Sequence, residues 1–386
     1  MTIVKTLRGR AAGRAEIVSV SYRENTIIGV EREPATGNEQ LPVISAGFVD
    51  LQVNGYAGVD VNSGDLDAHH IVELTERLAS IGVTTWAPTI ITAPEERIVQ
   101  AIRAVQSARM SHPAVFAAIA GVHVEGPFIS AEEGARGVHD PRVIRPLDSQ
   151  EIARWLEHGP VGLVTVSPHT DDAPAQIARV RALGVHVAIG HTHATPQQIR
   201  AAVDAGARFS THLGNGIAAH LPRHPNAIWT QLADDRLTTG MIADGHHLPI
   251  DTLEVMLRAK TPQRAFLVSD LTAIGGAAPG RYTTSVGGLV DLDASGRLSF
   301  VGTDFLAGAA ATLVDGLRTV ESRTTLSLAE ALELVTTTPA AVMPHARTGL
   351  ARLEAGAPAD LVLFDYAADR GIGDVVGVVQ SGRTVL

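Results

Sequence analysis

The sequence predicts an α/β protein: a (β/α)8 barrel of the TIM type over residues 45–349, joined to a small β-sandwich domain built from both chain termini, residues 1–44 and 350–386. Three observations lead there. Eight short apolar runs lie between about residues 43 and 271, each rich in Val, Ile, Ala or Thr, and near-continuous apolar runs of this length suit parallel strands buried on both faces. Amphipathic segments of helical period separate them, and alternation of strand and helix implies a parallel sheet. The two ends read as short strands and turns, and neither could bury a face alone.

In chain order the runs are VISAGFVDLQV, GVTTWAPTI, VFAAIAGVHVE, VGLVTVSPH, HVAIGHTH, ARFSTHL, TTGMIADGHH and AFLVSDL. The helical segments include DAHHIVELTERLASIG, PEERIVQAIRAVQSARM, PQQIRAAVDAGA and PIDTLEVMLRAK, several of which open on Asp, Thr or Pro and stop near Gly. An open doubly wound sheet is the competing arrangement, but it calls for a Gly-rich phosphate fingerprint after an early strand, and none is found. GRYTTSVGGLVDLDASGRLSF, near 280–300, reads as hairpin-like strands inserted after the eighth run, and DLVLFD and VVGVVQSGRTVL as C-terminal strands of the small domain.

With 386 residues, 45% of them apolar, the chain can fill a large core. A formal net charge of −10 without a long basic run argues against nucleic acid and against anionic membranes as partners. An anionic substrate would need local positive groups to hold it. No cysteine is present, which excludes disulfides, thiolate metal ligands and a cysteine nucleophile. The N-terminus lacks the apolar stretch of a secretory signal, and AVFAAIAGVHV is too short to span a bilayer. A soluble cytoplasmic protein is the expectation.

The chemistry-bearing residues stand where the runs end. Glu125 closes the third run, His191 the fifth, His212 the sixth and Asp270 the eighth. In such a barrel the strand C-termini converge on one mouth. Two neutral imidazoles and a carboxylate from separate strands would bind one divalent ion, Zn²⁺ or Fe²⁺, and leave a position open for water. The ion would lower that water's pKa, and Asp270 would take its proton and pass it to the leaving nitrogen. Asp270 could equally cap a helix. Among 16 histidines most are structural or on the surface, and His123, His169, His193 and His246 are read that way.

GFVDLQVNGYAGVD, GVHVEGPFIS, GVHDP, IGHTHAT, THLGNG, IADGHH and LVSDLTAIGG occur in this order between residues 46 and 276, followed by LAGAAATL and GLARLEAGAPADLVLFD. Together they resemble the N-acetylglucosamine-6-phosphate deacetylase branch of the amidohydrolase superfamily. That resemblance implies a barrel with a small β domain, metal binding by Glu125, His191 and His212, and Asp270 as catalytic acid and base. It implies substrate contacts from His139 and His247. Many superfamily members carry a His-x-His pair at the end of strand one; here Gln52 and Asn54 stand there. Amides are poor ligands for Zn²⁺, so one tightly held ion per chain is expected, with Gln52 and Asn54 as polar neighbours of the site.

The resemblance is weakest at the sugar's far end. Asn215 matches the family, Gly216 stands where it has Ala, and Arg223 is the candidate phosphate ligand, with Arg136 another possible anion contact. Substrate contacts are thus expected from His139, Asn215, Gly216, Arg223 and His247. The expected reaction converts N-acetylglucosamine 6-phosphate to glucosamine 6-phosphate and acetate. A non-phosphorylated sugar, N-acetylgalactosamine 6-phosphate, a cyclic amide or deaminase substrate, and a barrel without catalysis are the alternatives. The family also suggests a homodimer.

Overall fold

The computed structural model describes residues 3–37, 40–285, 288–343 and 346–386. Eight parallel strands form a nearly closed barrel: Phe48–Val53, Val83–Ile91, Val122–Glu125, Val161–Val166, His186–Ile189, Phe209–Ser210, Thr238–Met241 and Ala265–Leu267. Each pairs with its sequence neighbour in parallel. The last gap is bridged beyond the strand ends. The amides of Asn54 and Gly55 donate to Leu271 O, at 2.8 and 3.0 Å, and the Asp270 amide donates to Gln52 O at 3.0 Å. The barrel of eight runs therefore stands as predicted.

The helices follow their sequence signals. Ala68–Ser80 starts at Asp67, whose side chain accepts from the His70 amide, and it buries Ile71, Leu74 and Leu78 along one face. Pro196–Asp204 opens on a Thr195/Gln198 capping box with Pro in its first turn. Glu95–Ser111 and Ile250–Lys260 occupy two more of the predicted segments.

Two of the eight runs are divided rather than continuous. VISAGFVDLQV breaks at Gly47: Val43–Ala46 belongs to the terminal sheet and Phe48–Val53 to the barrel. A Cβ on Gly47 would lie 2.0 Å from Thr84 Oγ1, so the crossing from one sheet to the other requires glycine there. In VFAAIAGVHVE, Pro113–Ala118 is helical and only Val122–Glu125 is strand. Pro at the helix start and the alanines after it favour the helix over the apolar pattern.

Both termini meet in one seven-stranded sheet. Lys5–Arg10, Glu16–Arg23, Thr26–Pro34 and Val43–Ala46 join Leu361–Ala367, Gly371–Gln380 and Arg383–Thr384, the halves being stitched where Val43–Ala46 pairs antiparallel with Leu361–Ala367. Val18, Val20, Ile27, Ile44, Leu361 and Val379 form its core. After the eighth barrel strand, Gly280–Thr284, Gly288–Leu292 and Leu298–Phe300 make a three-stranded antiparallel sheet with a small core around Val290, Leu292 and Leu298. Residues 286 and 287, within the predicted hairpin, lie outside the described residues. No helix among the described residues is long and apolar enough to cross a membrane.

Candidate metal centre and substrate pocket

The strand ends do converge. Glu125 is the last residue of its strand, while His191, His212 and Asp270 stand two or three residues past theirs, with φ of 45°, 25° and 52°. Left-handed backbone is costly for residues with a Cβ, and such strain persists where surrounding structure imposes it, often at functional sites. Here it turns three side chains toward one point. His212 Nε2 lies 2.9 Å from Glu125 Oε1, His191 Nε2 lies 3.2 Å from His212 Nε2, and His191 Nε2 lies 3.4 Å from Glu125 Oε1. A tetrahedral ion with bonds of roughly 2.0–2.1 Å holds neighbouring donors about 3.4 Å apart, so these three atoms already form one face of such a site.

The tautomer of His191 is set by the backbone. Its Nδ1 is 2.8 Å from Ala135 O, and a carbonyl only accepts, so Nδ1 carries a proton and Nε2 faces the cluster, where it donates to Glu125 when protonated and offers a lone pair to an ion when not. Gly216 permits this packing: its φ is 58°, and a Cβ there would sit 2.8 Å from His191 Nδ1. The glycine that departs from the resembled pattern thus has a steric reason. The donor set, two buried imidazoles and a buried carboxylate, fits a divalent ion.

His139 competes for a place in that set. The ligating atoms of Glu125, His139 and His191 all lie within 4.8 Å of one another, and the rings of His139 and His191 are 4.3 Å apart. His191 and His212 both bring Nε2 within 3.4 Å of Glu125 Oε1, and these three residues form a tight triad. His139 Nδ1 bonds Thr92 Oγ1 at 2.7 Å, which leaves Nε2 for whatever lies beside the cluster.

Gln52 and Asn54 bind the carboxylates instead. Gln52 Nε2 donates to Glu125 Oε1 and Asp270 Oδ1, both at 3.0 Å, and Asn54 Nδ2 donates to Asp270 Oδ1 at 2.8 Å. Ionised carboxylates only accept, which fixes the amide nitrogens toward them. Asn54 Oδ1 is buried with no partner among the described residues.

Electrostatics separate the two acids. Burial alone would raise Glu125, but hydrogen bonds and charge from His191 and His212 outweigh it and hold the carboxyl well below its usual range. Asp270 is pushed up to about 6, by burial first and then by the charge of Glu125. Two carboxyl groups whose environments move them in opposite directions suit a ligand and a proton carrier. His139 is held well below the usual imidazole value by burial and by His191, so it is neutral.

Above the cluster opens a cavity of 370 Å³. His139, Asn215, Gly216 and His247 line it, whereas Arg223 and Arg136 do not. Arg223 is exposed on the loop between His212 and the helix Ala227–Ala233, flanked by exposed His220 and His224. His123 is tied to Thr165 Oγ1 at 2.7 Å inside the barrel, and His246 reaches Ser295 O at the surface, so both keep structural roles. The rings of His169 and His193 lie 4.5 Å apart, tilted by 42°, outside the cavity lining.

Several residues were not legible as site residues. Asp244 Oδ2 accepts from His247 Nδ1 at 2.7 Å; burial opposes its charge, yet His247 draws its carboxyl down to about 2. Its place in IADGHH was the available signal. Thr92, which positions His139, and Asp60, Asp304 and Phe305, which line the cavity, carried none, because none of them closes one of the eight apolar runs.

Residues 43–385 match the amidohydrolase family. The N-acetylglucosamine-6-phosphate deacetylase of Danio rerio is 32% identical over 339 residues, 84% of this chain and 80% of that protein. The N-acetylgalactosamine-6-phosphate deacetylase of Escherichia coli O157:H7 is 28% identical, covering 83% of each chain. Among solved structures, a point mutant of N-acetyl-D-glucosamine-6-phosphate deacetylase from Mycobacterium smegmatis, in complex with N-acetyl-D-glucosamine-6-phosphate, superposes with a TM-score of 0.85. It is 28% identical and covers 99% of this chain and 100% of that one.

Proposed function

The chain belongs to the amidohydrolase family, and from that premise we propose that it is a metal-dependent deacetylase of amino sugars, converting N-acetylglucosamine 6-phosphate to glucosamine 6-phosphate and acetate. One observation carries the chemistry: the tight triad Glu125, His191 and His212 lines one cavity together with Asp270.

In this reading Glu125, His191 and His212 hold one divalent ion, Zn²⁺ or Fe²⁺. Such an ion supplies Lewis acidity, lowering the pKa of water and polarising an acyl oxygen. Gln52 and Asn54 spend their amide donors on Glu125 and Asp270, which supports a single ion rather than two. Both amides bind Asp270 Oδ1, which leaves Oδ2 to take a proton from the attacking water. Asp270 then returns that proton to the amine as it leaves. His139 stands beside the cluster to donate to the acetamide oxygen as negative charge develops on it, with Nδ1 facing Thr92. His247, held by Asp244, and Asn215 and Gly216 contact the sugar.

The test is acetate release from N-acetylglucosamine 6-phosphate by metal-replete protein, alongside N-acetylgalactosamine 6-phosphate, the substrate named for the Escherichia coli relative. Activity should vanish on chelation and return with Zn²⁺ or Fe²⁺, at one ion per chain. Absence of acetate release from either sugar would sink the deacetylase reading, and two tightly held ions per chain would sink the single-ion site.

A further inference from the structure

We propose that Asp50 is a positioning residue for the deacetylation: its carboxyl group ties the backbone of Gln52 to that of Ser269 across the barrel closure, and so aims Asp270. The inference rests on the deacetylase reading above and concerns a residue outside the cavity lining.

The closure between the first and eighth strands is the weak point of the barrel. Every other neighbouring pair is joined by a parallel ladder, whereas Phe48–Val53 and Ala265–Leu267 end the strand order and share no ladder among the described residues. Gln52 and Asp270 meet across this gap, where Gln52 Nε2 donates to Asp270 Oδ1 at 3.0 Å. Asp50 supplies part of the missing connection with its side chain. Its Oδ1 accepts from the Gln52 amide and from the Ser269 amide, both at 3.2 Å. The next two amides are held as well: that of Asp270 donates to Gln52 O at 3.0 Å, and that of Leu271 to Ser269 Oγ at 3.1 Å. Between them Asp270 keeps its φ of 52°. Left-handed backbone with a Cβ persists where its surroundings impose it, and Asp50 is the side chain that does so from the strand-one side.

Packing alone gives no reason for an acid here. Asp50 is 1% exposed, in a strand whose every residue is buried, and its Oδ2 has no hydrogen-bond partner among the described residues. Burying a carboxyl group so incompletely satisfied is costly. Burial pushes the group up to about 7, against the hydrogen bonds from Ser269 and Gln52. What the acid provides is the acceptor Oδ1 between two amides, a service that an uncharged acceptor of the same shape also performs. Because Asp50 lies outside the cavity lining, its loss acts on the aim of Asp270 rather than on the hold on the sugar.

The experiment compares Asp50→Ala and Asp50→Asn with wild type, each metal-replete, on whichever N-acetylhexosamine 6-phosphate the wild type hydrolyses faster. Asp50→Ala should lower kcat by about a hundredfold, the cost of a misplacement of about 1 Å in a catalytic group. Its KM should stay within roughly threefold of wild type, and elemental analysis should find its bound metal unchanged. Asp50→Asn should recover most of the lost rate, to within about tenfold of wild type, because it keeps the acceptor. The decisive arm repeats Asp50→Ala in the Asp270→Asn background. There the residual rate should fall by less than about threefold, since a residue that works through Asp270 has nothing left to position. A loss in that background as large as in the wild type overturns the proposal. So does a kcat for Asp50→Ala within about threefold of wild type, or loss of its metal. Asp50→Asn as impaired as Asp50→Ala overturns the role of Oδ1. If Asp50→Ala does not fold, Asp50→Ser, whose shorter side chain draws the acceptor back from the two amides, replaces it in every arm. Failure of both to fold assigns Asp50 to stability and overturns the proposal. A wild type that releases acetate from neither 6-phosphate overturns the deacetylase reading instead, so the two failures are distinguishable.

Discussion

At the floor of the pocket several functional groups are fixed by others: His191 by Ala135 O, Asp270 by Gln52 and Asn54, His139 by Thr92. At the rim the side chains of Asp304, Phe305 and Arg223 stand exposed on loops. The floor is built on barrel strand ends, whose register is set by ladders and a packed interior. The rim is built on the inserted sheet and on the loop before Ala227. Metal chemistry tolerates little error in donor placement, so it sits on the rigid part. The rim sits where the chain can vary without disturbing the barrel.

The sharpest way to break this contrast is at Asp270. Asp270→Asn should reduce kcat by about a thousandfold while bound metal stays near wild type, since general acid–base catalysis contributes roughly 10²–10⁴-fold. Near-normal turnover would remove Asp270 from its role. The pH profile adds a second reading of the same group. Asp270 must be ionised to accept a proton, and its carboxyl is raised to about 6 in the metal-free site. A bound cation favours the ionised form, so kcat/KM should fall as pH drops through 6 or somewhat lower. That acid limb should disappear from the residual activity of the variant.

Gly216→Ala probes the floor through its packing. A methyl group 2.8 Å from His191 Nδ1 must displace the imidazole, so metal affinity should fall by about 10–100-fold, the usual effect of disturbing a group that orients a ligand. Titration of the metal-free protein with Zn²⁺ measures this, and unchanged affinity would show that His191 has room to move. A smaller effect is expected at Asp244, which holds His247 rather than a member of the metal triad. Asp244→Asn should lower kcat/KM by roughly tenfold, from the loss of a charge-assisted hydrogen bond to His247, with metal content unaffected. Loss of metal in that variant would tie His247 to the floor instead.

Legibility followed the same division. Glu125, His191, His212 and Asp270 could be read because each ends an apolar run, and strand ends in a barrel meet at one mouth. Gln52 and Asn54 could be read as poor metal ligands from chemistry alone. That they bridge the two carboxylates depends on the closure of strand one against Leu271, which no local pattern reports. Two apolar runs were read as continuous strands because periodicity cannot mark a break; Gly47 and Pro113 impose it through a close approach and a helix start.

By itself, the sequence determined the barrel and the residue types available for metal and proton chemistry, since these follow from apolar patterning and side-chain chemistry, whereas the place of Val43–Ala46 in the terminal sheet was settled by the break at Gly47. Only the tertiary structure decided which histidines form the tight triad, why position 216 is glycine, and that Arg223 lies outside the cavity wall while Asp60, Asp304 and Phe305 lie within it. The physical reason is that these depend on distances between segments far apart in the chain, set by packing and loop paths rather than by any local preference.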